Sequence, residues 1–168
     1  MAKKLITIVG PNGVGKSTTS RALLQICPHS AYVDSDWCRA INPFKFTNIT
    51  KKTVTDNIYC LLRNYLLCDD IETVIFPYGF HGERKAIYDE VVARMRNDEI
   101  EFETHIAVLK CTYDENVQRA SNDARDIERV ERGMANTFYF YDALDFPHID
   151  TTSLQPYQVA ERIKELFL

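Results

Sequence analysis

Apolar residues along this chain follow two rhythms. Short β-rich runs, "LITIV" (5–9), "AYVD" (31–34), "TVIFP" (73–77), "HIAVLK" (105–110) and a weaker "PHID" (147–150), alternate with longer stretches of helical pattern at 16–26, 53–68, 84–97, 114–123 and 156–167. In the second helical stretch Leu61, Leu62, Tyr65 and Leu66 share one stripe, with Ile58 one turn earlier, so that face should pack on a sheet. The last stretch opens at Pro156, which suits a first helical turn. Strands separated by whole helices need crossover connections, so the pattern predicts an α/β fold with parallel strands. No repeat, low-complexity tract or Pro/Ser-rich linker interrupts it, and 168 residues suit one domain, 1–168, with its own core. The least regular part is 40–52, "AINPFKFTNITKK", either a substrate-covering segment or an ordinary surface loop.

The strongest chemical signal lies between the first strand and the first helix. "GPNGVGKS", Gly10 to Ser17, fits G-x-x-x-x-G-K-[ST] in the strand-loop-helix context that this pattern needs. Glycines let backbone N–H groups turn inward toward phosphate oxygens, and the helix N-terminus adds a partial positive charge. Gly10, Pro11, Asn12, Gly13, Val14, Gly15, Lys16, Ser17 and Thr18 are therefore the candidate nucleotide-binding residues. Lys16 is expected to reach the β- and γ-phosphates, and the Ser17 hydroxyl to ligate Mg²⁺.

A second signal is "YVDSDW", residues 32–37. On a strand, Asp34 and Asp36 point the same way and repel unless a cation or substrate lies between them. Mg²⁺ with a nucleoside triphosphate on the phosphate loop is the expected third party. Asp34, nearer the strand, is the candidate metal ligand, directly or through water, and Asp36 the candidate general base for an acceptor hydroxyl. Helix capping or loop hydrogen bonding is the competing explanation for the pair.

Composition narrows the partners. A net charge of −4 and a pI near 5.6 argue against a broad polyanion-binding surface, and so against long nucleic acid. Apolar content of 45%, 26% charged residues and a mean hydropathy of −0.27 fit a soluble globular protein, and no apolar run is long enough to span a bilayer. "MAKKLITIVGPNG" begins as a signal peptide does, but its apolar part is five residues long, which reads as a first strand and a cytoplasmic protein. Five singly scattered cysteines show no CxxC pair and indicate neither a zinc site nor a disulfide framework.

"GPNGVGKST", "DSD", "VLKCTYDENVQRASNDAR" and "IDTTSLQPYQVAERI" together resemble the P-loop small-molecule kinases, a group that includes shikimate and gluconate kinases, antibiotic phosphotransferases and polynucleotide kinase domains. The resemblance covers nearly the whole chain. It implies a three-layer P-loop NTPase fold with a five-stranded parallel sheet of order 2-3-1-4-5, and an arginine-bearing lid at about 119–138. Candidate acceptor-binding segments fall at about 36–52 and 77–84. By the same resemblance Asp34 serves the metal and Asp36 the acceptor hydroxyl. "DWCR" also matches the D-x-x-R of polynucleotide kinases, which makes Arg39 a candidate for binding a phosphate or carboxylate on the acceptor, or else a plain surface arginine. Arg119 would lie near the nucleotide and Arg125 would reach the transferred phosphate.

The chain also departs from those relatives. Strand three ends in "IFPYGF" with no Walker-B carboxylate, so metal binding leans on Ser17 and Asp34. The glycine triplet of shikimate kinases is missing, which argues against shikimate as acceptor. Tyr78, Phe80, His81 and Arg84 occupy the acceptor-lining position instead, where Tyr78 and Phe80 serve either a ring-bearing or sugar substrate or plain packing. Arg125, Arg129 and Arg132 recur at helical spacing, as on a closing lid, but interleaved Asp126, Glu128 and Glu131 also fit a salt-bridged solvated helix. The expected function is transfer of the γ-phosphate of ATP to a hydroxyl of a small molecule. A nucleoside, nucleotide or 5′-hydroxyl polynucleotide kinase and a non-catalytic ATP-binding protein are the alternatives. The base-reading N-K-x-D of GTP switches does not occur.

Overall fold

A computed structural model describes residues 2–122 and 137–168. Five strands, β1 (Lys3–Val9), β2 (Ser30–Tyr32), β3 (Thr73–Pro77), β4 (Phe102–Lys110) and β5 (His148–Asp150), form one sheet in the order β2-β3-β1-β4-β5. Every pairing is parallel. The helices are α1 (Lys16–Ile26), α2 (Asn48–Leu66), α3 (Arg84–Asn97), α4 (Tyr113–Asn122) and α5 (Pro156–Phe167).

The strands are apolar on both faces, as a sheet covered by helices on both sides requires. Alternate residues feed opposite cores: Leu5, Val9, Val74, Phe76 and Val108 pack with α2 and α3, whereas Ile6, Ile8, Ile75, Ala107 and Leu109 pack with α1 and α5. The stripe on α2 buries Ile58, Leu62 and Leu66 and half-buries Leu61 and Tyr65. Because all strands run the same way, the loops that follow them gather at one edge, where such sheets bind ligands.

Several boundaries differ from the sequence expectation, three of them with consequences. α2 starts at Asn48 rather than 53, because Thr47 and Thr50 form a reciprocal cap: Thr50 N–H donates to Thr47 Oγ1 at 3.2 Å and Thr47 N–H to Thr50 Oγ1 at 2.8 Å. The end of the irregular 40–52 stretch is thus a helical first turn. Thr47→Ala should destabilise the fold by about 1 kcal/mol in urea unfolding. β2 stops at Tyr32, before both aspartates of "DSD". β4 begins at Phe102, three residues earlier than 105. Of the lid at 119–138, residues 123–136, with Arg125, Arg129 and Arg132, lie outside the described residues. No described helix is long and apolar enough to cross a membrane.

Candidate active site

The loop between β1 and α1 is shaped by its glycines. Gly10 sits at φ +151, and a Cβ there would lie 2.6 Å from the carbonyl oxygen of Leu109 on β4, so no larger residue fits that close crossing. Gly15 caps α1 in the left-handed region at φ 98, with nothing within 4 Å of where a Cβ would stand. Lys16 Nζ donates to the carbonyls of Gly10 at 2.9 Å and Pro11 at 2.8 Å, folded over its own loop.

This loop forms the floor of a cavity of about 570 Å³. Of the candidate residues, Asn12, Gly13, Val14, Gly15, Lys16, Ser17, Thr18, Asp34, Asp36, Arg39, Tyr78, Arg84 and Arg119 all line it. Gly10 and Pro11 are buried behind the loop and do not line it. The sheet order sets two ends: the loops after β2 and β3 bring Asp34, Asp36, Arg39, Tyr78 and Arg84 to one side, and α4 with the loop after β5 brings Arg119 and Thr151 to the other.

The aspartates do not face each other across a pleat, because the strand ends two residues before Asp34. Asp34 is buried, and its Oδ1 accepts the Asp36 N–H at 3.0 Å, which folds "DSD" into a turn. Its Oδ2 accepts the Tyr32 hydroxyl at 2.7 Å and stands 3.8 Å from Arg21. Burial and Asp34 together push the Tyr32 hydroxyl up to about 12, so it stays a donor, and the hydroxyl of Ser17 lies beside it. Tyr32 thus brings the two candidate metal ligands, Ser17 and Asp34, to one place. The sequence reading missed Tyr32, although its spacing of two from Asp34 in the apolar run was the available signal. Asp36 is exposed and precedes a single 3₁₀ turn, Trp37–Arg39, where Arg39 Nη2 contacts its Oδ1 at 2.5 Å.

Beyond β3 the aromatic residues divide. Phe80 is fully buried between Tyr78 and Tyr88, so it is a packing residue, while Tyr78 stacks on Phe76 yet still borders the cavity. Arg84, at the start of α3, donates from Nη1 to His81 Nε2 at 2.5 Å. A guanidinium only donates, so Nε2 accepts and the ring proton sits on Nδ1, where it is given to the Tyr141 hydroxyl oxygen at 2.8 Å. Tyr141, fully buried, also accepts the Phe80 N–H at 3.0 Å. Gly79 allows this close packing: a Cβ there would meet His81 Cε1 at 3.1 Å and Arg84 Nη1 at 3.3 Å.

Burial and the neighbouring Arg84, Lys16 and Arg39 hold His81 down at about 4, from the usual 6.5. The sign of the linkage follows. Between pH 6.5 and 4 the unfolded chain takes up a proton at this position and the folded chain does not, so His81 costs stability as pH falls through that window. Urea melts at pH 7 and pH 5 should show a loss of stability that is smaller in His81→Gln; equal losses in the two proteins would contradict the assigned neutral ring.

At the opposite end Arg119 is held on every side. Nε donates to Glu115 at 2.7 Å, Nη1 to Thr151 Oγ1 at 3.1 Å, and Nη2 to the Thr151 carbonyl at 2.9 Å. Thr151, which closes this end, was not picked out from sequence.

The chain matches no protein-family model, and no curated protein resembles it in sequence. Solved structures do resemble it over their full lengths. A tunicamycin resistance protein from Deinococcus radiodurans is 20% identical with a TM-score of 0.63, covering 99% of this chain and 96% of that one. A sugar kinase from Janibacter sp. HTCC2649 is 13% identical with a TM-score of 0.66, covering 97% and 93%. The chain has the P-loop kinase fold. A shikimate kinase from Acinetobacter baumannii in complex with shikimate, 17% identical with a TM-score of 0.61 over 98% and 92% of the chains, shares it. The sheet order that the family resemblance implied is the order found. At these identities the likeness establishes the P-loop kinase fold, and any activity has to be argued from the site.

Proposed function

We propose that this protein is an ATP-dependent phosphotransferase that moves the γ-phosphate of ATP to a hydroxyl of a small molecule. The observation that carries this reading is a single cavity floored by the phosphate loop and bordered at one end by Asp36, Arg39 and Arg84. A bare nucleotide-binding module has no need of a carboxylate and two arginines beyond the phosphate site.

In this reading the triphosphate lies on Asn12–Thr18, and Lys16 leaves the loop carbonyls for its β- and γ-phosphates. Arg119, fixed by Glu115 and Thr151, borders the nucleoside portion. Asp36 accepts the proton of the acceptor hydroxyl as its oxygen bonds to the γ-phosphorus, the bond from phosphorus to the β-γ bridging oxygen breaks, and ADP leaves. Ser17 and Asp34 suit Mg²⁺, since a hard cation takes a few protein oxygens and completes its shell with water and phosphate, and both line the same cavity. The bound ion would offset phosphate charge. Arg125, on the lid segment, is proposed to reach the transferred phosphate.

Arg39 and Arg84 face one carboxylate, Asp36, with His81 neutral beside them. Burial and then Arg39 push Arg84 below its usual range, yet a guanidinium stays charged, which leaves excess positive charge for a phosphate or carboxylate on the acceptor. A nucleoside or nucleotide acceptor is a second reading, favoured by Trp37, which follows Asp36 and is 59% exposed, a ring available for stacking a base. Labelled γ-phosphate transfer from ATP to metabolite, nucleoside and antibiotic pools tests both. A labelled alcohol supports the proposal and names the acceptor, whereas ATP binding with no labelled product across the pools would establish a non-catalytic nucleotide binder.

A further inference from the structure

The phosphate loop is also gripped from behind, by a side chain that lines no part of the cavity. Asn116, on α4 and fully buried, donates from Nδ2 to the carbonyl of Asn12 at 2.9 Å, across 104 residues of sequence. A carbonyl only accepts, so the amide nitrogen must face the loop, and its oxygen is left as one of two buried side-chain polar atoms without a partner among the described residues. An orphaned buried oxygen is costly. The same amide also hydrogen-bonds with the Cys111 side chain, so it serves two buried neighbours, of which the Asn12 carbonyl is the one on the loop.

The consequence is geometric. In a trans peptide the C=O and the following N–H point in opposite directions, and the one cis bond among the described residues is at Asn42–Pro43. With the Asn12 oxygen drawn toward the buried Asn116 face of α4, which lines no part of the cavity, the Gly13 N–H is turned away from that face. One turn further along α4, Arg119 Nη1 approaches the Val14 carbonyl at 3.5 Å, a second tie between this helix and the loop. The Val14 N–H, by contrast, is directed back to the Pro11 carbonyl at 3.4 Å.

We propose that Asn116 is a positioning residue for phosphate binding: it sets the peptide plane that aims the Gly13 N–H at the nucleotide, and so ties the phosphate loop to α4. This rests on the nucleotide reading of the loop given above. The test compares Asn116→Leu, which keeps the volume and removes the donor, with Asn116→Asp, which turns a carboxylate oxygen on the Asn12 carbonyl. Binding of Mg–ADP, inorganic pyrophosphate and adenosine is measured by calorimetry, with thermal melting alongside.

Asn116→Leu should bind Mg–ADP and pyrophosphate roughly tenfold more weakly, the loss of one hydrogen bond that fixes a donor to a charged group, and Asn116→Asp more weakly still. Adenosine affinity should stay within about twofold of the starting protein. Unchanged pyrophosphate affinity in Asn116→Leu overturns the proposal, and so does a parallel fall for adenosine, which marks a merely structural residue. If the unaltered protein binds neither ADP nor pyrophosphate, the nucleotide reading itself has failed. A measurement on the unaltered protein stands independently of any folding defect: the Asn116 side-chain amide protons should be protected from solvent exchange in the nucleotide-free state, and exchange at the free rate would overturn the assignment.

Discussion

Asp36→Asn should lower phosphate transfer to the acceptor by 10²- to 10⁴-fold, the usual contribution of a positioned general base, while Mg–ATP binds as before. The separation follows from where Asp36 sits. It borders the cavity beyond the phosphate loop, at the end that also carries Arg39 and Arg84, and its carboxylate accepts from Arg39 Nε and Nη2. The substitution removes the ion pair with Arg39, but Asp36 is 66% exposed in its side chain and such a pair adds little to stability. The melting curve should therefore hardly move, and a kcat loss with unchanged ATP affinity isolates the proton-accepting role. Normal turnover by Asp36→Asn with the acceptor found in the transfer screen would refute that role outright.

How much of this was legible in the chain depends on the range of the contacts involved. The five strands and their parallel direction were legible because apolar runs and crossover lengths are local quantities, and the phosphate loop because glycine positions and a following helix are contiguous; the order of the strands came only with the family resemblance. The start of α2 was missed because its cap uses two threonines, Thr47 and Thr50, inside a stretch whose Pro43 and aromatic residues read as irregular. The turn of "DSD" was read as a strand pleat, since alternation alone does not show where pairing stops; pairing with β3 ends at Tyr32. The neutral His81 was out of reach for another reason. Its state depends on Tyr141, 60 residues away, which accepts from Nδ1, and on Arg84, which donates to Nε2. Asn116 falls in the same class, a helical asparagine whose meaning lies in a loop more than a hundred residues earlier.

Lys16→Ala should weaken ATP and ADP binding by roughly 10- to 100-fold, the range for hydrogen bonds to a charged group, and should do so with or without acceptor present. Two contributions have to be weighed. In the free protein Lys16 holds the Gly10 and Pro11 carbonyls, so its removal also releases a restraint on the loop. If that restraint dominated, loss of Lys16 would destabilise the free protein and leave nucleotide affinity little altered. Gly10 is independently confined, however, by its close approach to the Leu109 carbonyl, and Asn12 is held by Asn116, so the loop keeps its course without the lysine. The expected signature is a thermal midpoint within a few degrees of the starting protein, combined with a lost stabilisation by Mg–ADP, because a ligand raises the midpoint only through its affinity for the folded state. Undiminished ADP affinity in Lys16→Ala would count against the phosphate cradle, and with it against every role assigned to the cavity above it.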